Sequence, residues 1–184
     1  MENEVLKAIR NRRSTRKYKE MQITKEELQT IIEAGIQAPS ANNSQSWHFT
    51  VIQNKEMINI MSDKSKEVML SSDNANIVSF GKSPVNIFYN APTVIIVSGK
   101  ENVNSSLVDC SAAIENMLLA CESISLGAVW IGFVMFLFTL KDEVKKFNLP
   151  DGYKPFYAVS IGHKSNDSIS EPLKRNKDVV NYIG

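Results

Sequence analysis

Asp109-Cys110-Ser111-Ala112-Ala113-Ile114-Glu115-Asn116-Met117-Leu118-Leu119-Ala120 is the middle of the longest helical pattern in the chain. Around it Leu107, Cys110, Ile114, Met117, Leu118, Cys121 and Ile124 repeat at helical spacing, and the stripe closes at Leu126-Gly127. One continuous apolar stripe predicts a helix that crosses the domain centre, with the other elements packed around it. Cys110 and Cys121 share that helix. At ~1.5 Å rise per residue they stand roughly 16 Å apart, too far for a disulfide, and they read as buried thiols.

Toward the C-terminus, Ala128 to Phe138 is an apolar, strand-like run about half the length of the ~20 residues a membrane-spanning helix needs, so it reads as core. A short helix from about Leu140 to Phe147, a Pro150-Asp151-Gly152 turn and a strand from Phe156 to Ile161 follow. Toward the N-terminus, Pro92 introduces Thr93-Val94-Ile95-Ile96-Val97, a β-branched strand covered on both faces. The stretch Ser71 to Pro84 is rich in Ser, Asn and Asp and predicts turns or a mobile segment, after a polar helix that ends near Leu70. Trp47, Phe49 and Val51 alternate with His48, Thr50 and Ile52 as a strand, and Asn54-Lys55 begins the turn out of it. Thr24-Lys25-Glu26-Glu27 is a capping box that starts a helix along Leu28, Ile31, Ile32, Gly35 and Ile36; Pro39 ends it before the loop Ser40 to Ser46. Val5, Leu6 and Ile9 predict a first helix anchored on one face. Helices and strands alternate irregularly, which predicts an α+β sandwich of a mixed sheet with flanking helices.

With 184 residues and 43% hydrophobic content, the chain suits a single domain over 1–184. Its formal net charge of +1 provides no global field for nucleic acid or an anionic membrane, so neither is expected as a partner. Acidic residues open the chain where an export signal would be basic and then apolar, which predicts a cytoplasmic protein. His48 and His163 lie in unrelated segments without metal-ligand spacing, so no metal is expected. The glycine patterns of a Rossmann site and of a P-loop are both missing, so a bound phosphate would be held by side chains.

Two segments carry chemistry. Arg12-Arg13-Ser14-Thr15-Arg16, directly after the first helix, combines cations and hydroxyls; it suits an anion cradle, or simple compensation of the negative helix end in water. Ala38-Pro39-Ser40-Ala41-Asn42-Asn43-Ser44-Gln45-Ser46-Trp47-His48-Phe49 precedes the first strand. Together they resemble the FMN-dependent nitroreductases, whose chains pair an Arg-x-Ser-x-Arg/Lys element with a later Pro-Ser-Ser-x-Asn-x-Gln-Pro-Trp element. Ala41 and Ser46 depart from that pattern, while Ser40, Asn43, Gln45 and Trp47 keep it. Asp109 to Ala120, leading to Trp130-Ile131-Gly132, is similar to the family's central helix. Ile161-Gly162-His163 and Pro172-Leu173-Lys174-Arg175 resemble its closing strand and C-terminal cation pair.

The resemblance implies a nitroreductase-like fold, a domain-swapped homodimer with shared active sites, and FMN as cofactor. It implies that Arg12, Lys174 and Arg175 bind the phosphate, with Arg13 in the same cradle and Ser14 on the ribityl chain or phosphate. Arg16 would be the catalytic cation, near the pyrimidine edge where negative charge develops on reduction. Pro39, Ser40, Ala41 and Asn43 would reach the cofactor from the other subunit, Gln45 would also bind it, and Ile131 and Gly132 would face the isoalloxazine edge. Asn74, Asn76 and Asn86 are alternative equivalents of a further contact. The implied activity is substituted-enzyme turnover between NAD(P)H and a planar acceptor such as a nitroaromatic or quinone. A specialised flavin reaction (dehalogenation, dehydrogenation or flavin breakdown) and a flavin-binding redox sensor are the alternatives. Ser71 to Tyr89, Phe133 and Phe136 would build the substrate face.

Overall fold

A four-stranded sheet with helices on both faces forms the protein in a computed structural model that describes residues 2–167, 171 and 173–184. In chain order come α1 (Glu4–Asn11), α2 (Lys25–Ile36), a 3₁₀ turn (Ala41–Asn43), β1 (Trp47–Ile52), α3 (Lys55–Met69) and α4 (Ala75–Lys82). These are followed by β2 (Thr93–Lys100), α5 (Ser106–Ser123), β3 (Leu126–Ile131), a 3₁₀ stretch (Phe133–Thr139), α6 (Lys141–Lys145) and β4 (Tyr153–His163). The strand order is β1-β2-β4-β3 and every neighbouring pair is antiparallel.

The α+β class holds, but the mixed sheet does not. β2 and β3, joined through α5, run in the same direction, yet β4 lies between them and antiparallel to both. Among the described residues the one parallel contact is an isolated bridge from Ser14 to Ala128 on the outer edge of β3.

Alternate residues of the strands face two separate cores. Ile95, Val97, Val159, Ile161, Leu126 and Ala128 join Ile31 of α2 and Ile114, Met117 and Cys121 of α5 on one side. Val94, Ile96, Ala158, Val129 and Ile131 face the other core, with Ile58 and Met61 of α3 and Leu137. β2 is thus buried on both faces, as its unbroken β-branched run predicts.

α5 buries the stripe that its sequence marks, with Leu107 exposed at its start. It closes earlier than Leu126-Gly127, because Ser125 turns the chain at φ 65 and Leu126 already opens β3. Cys110 and Cys121 are free and buried. Thr24 and Glu27 exchange the two capping hydrogen bonds, at 2.7 and 3.1 Å. Asn54 does not begin a turn; its side chain caps α3 by accepting from the Met57 N–H at 2.8 Å.

Two further expectations are corrected. Ser71 to Pro84 contains α4, for Asn74 spends its side chain as a helix cap on the Asn76 N–H, and Ile77 and Phe80 pack into the second core. α1 is only partly anchored on its apolar face: Val5 and Ile9 are exposed and no residue of the helix is fully buried, while Leu6 and Ala8 are half-buried and the helix lies against α5.

Candidate functional site

Beyond Asn11 the chain runs extended along the open edge of β3, where the Thr15 N–H donates to the Ala128 carbonyl at 3.0 Å. Gly127 permits this approach: a Cβ there would lie 2.5–2.8 Å from the Cγ2, Oγ1 and Cβ of Thr15. Thr15 is buried against the strand, so the period-two alternation of extended chain sets Arg12, Ser14 and Arg16 on the opposite face. The Tyr18 hydroxyl pins the segment by donating to the Thr15 carbonyl at 2.7 Å; burial pushes that phenol well above its ordinary pKa, so it stays a neutral donor.

The three arginines are engaged differently. Arg13 donates from Nη1 to the carbonyls of Arg10 and Arg12 at 2.6 and 2.8 Å, satisfying the C-terminus of α1. Its Nε is buried without a hydrogen-bond partner. Arg12 pairs loosely with Glu115 of α5, Nε to Oε1 at 3.4 Å. Arg16 has no carboxylate partner among the described residues and lies 5.6 Å from the centroid of the Tyr89 ring. Tyr89 and Asn90 hold left-handed backbones at φ 57 and 55, an uncommon conformation for an aromatic residue.

β3 ends at buried Ile131, and the exposed Gly132 follows it. Gly132 has φ −81, open to any residue, and a Cβ there would meet nothing within 4 Å. The fold itself therefore does not call for glycine here. The unmatched Arg16 charge and Ser14, on one face of the segment, fit an anionic ligand such as a phosphorylated flavin.

The loop after α2 is the second part. Pro39, Ala41, Asn43 and Gln45 are exposed, and Ser40 is half-buried. Asn42, Asn43 and Gln45 all take positive φ, at 53, 53 and 43. Within the loop, Gln45 N–H donates to Ser40 Oγ and Asn43 N–H to the Ser40 carbonyl, both at 3.0 Å. Beneath it, the buried carboxylate of Asp109 accepts from the Ala41 N–H at 3.2 Å, Ser44 Oγ at 3.0 Å, Ser46 Oγ at 2.8 Å and Ser105 Oγ at 3.2 Å. Burial alone would raise its pKa, but these hydrogen bonds outweigh burial and hold the carboxyl below its ordinary value, so it is ionised.

Lys174 and Arg175 are exposed in the C-terminal run and make no ion pair or hydrogen bond to the N-terminal cluster among the described residues; Pro172 lies outside those residues. Of the alternative asparagines, Asn74 caps α4, and Asn86 is committed to the Phe88 N–H and to Asn59, while Asn76 is exposed. Sequence reasoning missed Asp109, Glu115 and Tyr89. The hydroxyl-rich Ser44 and Ser46 were the available signal for Asp109, but its separation of 65 and 63 residues from them hides the pairing. Among the described residues no group of three or more His, Cys, Asp or Glu could hold a metal, and no helix is long and apolar enough to cross a membrane.

The Nitroreductase family model matches residues 9–163. A relative from Methanothermobacter thermautotrophicus, provisionally named NADH dehydrogenase/NAD(P)H nitroreductase, is 34% identical over 172 residues, 89% of this chain and 79% of its own. FMN reductase [NAD(P)H] of Bacillus subtilis is 28% identical over 98% of this chain and 73% of its own. The crystal structure of a nitroreductase with bound FMN from Bacteroides fragilis covers 100% of both chains at 29% identity and a TM-score of 0.90. With the family model spanning both the arginine segment and the end of β3, the chain belongs to the nitroreductase family.

Proposed function

We propose that the chain is an FMN-dependent oxidoreductase that takes electrons from NADH or NADPH and passes them to a small planar acceptor such as a nitroaromatic or a quinone. The observation that carries this reading is the docking of the Arg12–Arg16 segment on the edge strand β3, with Arg16 left without a carboxylate partner among the described residues. FMN in the Bacteroides fragilis structure and the FMN reductase name of the Bacillus subtilis relative support it. When bound, FMN supplies the hydride and electron transfer.

The protein's part is to bind and orient. Arg12, with Lys174 and Arg175, offers guanidinium and ammonium donors to a phosphate dianion, and Ser14 adds a hydroxyl. Arg16, its charge unmatched by a carboxylate, is placed to stabilise negative charge at the pyrimidine edge. Phe80, Phe133 and Phe136 pack in a row of tilted rings, at 4.4 and 6.4 Å between centroids, and offer a planar acceptor an aromatic surface.

The site is completed by a second copy of the chain. Val5 and Ile9 on α1, Val108 on α5, and Val179, Val180, Tyr182 and Ile183 near the C-terminus are exposed, which is costly unless another surface covers them. In such a homodimer the exposed side of the loop, at Pro39, Ser40, Ala41, Asn43 and Gln45, faces the partner's cofactor.

The test is anaerobic mixing of the FMN-loaded protein with NADH and with NADPH, followed by a quinone or nitroaromatic. Rapid bleaching of the flavin by one nucleotide and recovery on adding the acceptor are expected. No bleaching with either would set the reading aside in favour of a specialised flavin reaction or a sensor.

A further inference from the structure

The carboxylate that holds the loop is where the structure goes further. Four donors converge on Asp109: one backbone N–H and three serine hydroxyls, three of the four coming from Ala41, Ser44 and Ser46 of a single loop. Asp109 is 3% exposed, and it sits in the first turn of α5, where the helix dipole favours a negative charge. The loop it grips carries three non-glycine residues in left-handed conformations, each of which a free loop would relax. Conformations of that kind persist only where the surroundings over-determine them. The loop's own hydrogen bonds from Asn43, Ser44 and Gln45 fix its turn; its end is tied to β2 by the Lys100 N–H on the Ser46 carbonyl at 3.0 Å, and Asp109 ties its middle, Ala41 and Ser44, to α5.

Resting on the FMN reading above, we propose that Asp109 is a positioning residue for cofactor binding: it fixes loop 40–46 to α5 so that half-buried Ser40 and the exposed Ala41, Asn43 and Gln45 are held ready for the flavin. It touches no cofactor itself. The serine hydroxyls can rotate to accept as well as donate, whereas the Ala41 N–H can only donate. An amide at position 109 therefore serves most of its partners, accepting from the Ala41 N–H through its oxygen and donating to two of the three serine hydroxyls once they rotate. An alanine serves none.

The test compares Asp109→Asn, Asp109→Ala and the double variant Ser44→Ala/Ser46→Ala with the unmodified protein. FMN affinity is measured by fluorescence titration, and hydrogen exchange of the 41–45 amides is measured without flavin. The double variant leaves α5 untouched, which separates loop release from damage to the helix. We expect Asp109→Ala and the double variant to bind FMN about tenfold or more weakly. Their 41–45 amides should exchange faster while those in the middle of α5 stay protected, and Asp109→Asn should lose clearly less affinity than Asp109→Ala. Unchanged affinity and loop protection in the double variant would overturn the proposal, as would Asp109→Asn binding as poorly as Asp109→Ala. Failure of the unmodified protein to bind FMN would instead bring down the reading on which it rests, a result distinct from normal binding by every variant.

Discussion

Arg16 differs from its neighbours in having an aromatic ring, not a carboxylate, beside it. Arg12 is partly balanced by Glu115 and Arg13 is spent on α1, so Arg16 keeps its charge available for a ligand. Arg16→Ala should slow flavin reduction by about tenfold, some 1.4 kcal/mol in the barrier, and make the flavin potential more negative. Stopped-flow reduction and a potential titration check this, and an unchanged potential would remove Arg16 from its role. Gly132 gives the complementary test. Its φ of −81 and the empty surroundings of its missing Cβ mean that Gly132→Ala should fold as well as the parent or better, by about 0.4–1 kcal/mol. FMN affinity should nevertheless fall if, as proposed, Gly132 faces the isoalloxazine edge, where a methyl would intrude. Thermal unfolding beside an FMN titration separates the two effects, and loss of both together would mean that glycine serves packing only.

At the scale of elements, the edge of β3 carries the proposed site, since it docks the arginine segment at Ala128. Thr15 is β-branched and buried, so it has little room to yield to a side chain at Gly127. Gly127→Ala should cost about 1–3 kcal/mol by overpacking and should weaken FMN binding as the segment lifts from the strand. Denaturant unfolding with FMN titration would show it, and wild-type values in both would mean the contact is soft. Local signals made α2 and α5 legible in the sequence: a capping box needs only four consecutive residues, and a stripe declares itself within one helix. α4 was not legible, because Asn74 and its polar neighbours look alike as a cap and as a loop, and the Phe133 that packs on Phe80 is 53 residues away. Strand direction was hidden for a similar reason: alternation shows which face is buried, while the antiparallel insertion of β4 between β2 and β3 depends on residues far apart. The arginine segment and the Ser40–Gln45 loop were readable as motifs, but the Asp109 anchor that ties the loop to α5 was not.

For the whole molecule, the two cores on either side of the sheet account for most buried apolar residues, yet α1 and the C-terminal run leave theirs exposed. A second copy as their cover leads to a direct expectation: the protein sediments as a dimer, and Val5→Lys/Ile9→Lys shifts it toward monomer with loss of FMN. Both substitutions lie on a helix without buried residues, so the fold should survive, as circular dichroism would verify. A dimeric double variant with normal FMN content would place the interface elsewhere. The account as a whole stands on one cofactor, and the most direct measurement is the visible spectrum of the purified protein with analysis of the flavin released by heat. A yellow protein releasing FMN at about one equivalent per chain is the predicted result, since the chemistry needs a bound cofactor. A colourless protein that also fails to take up added FMN would contradict it and leave the arginine segment as surface charge.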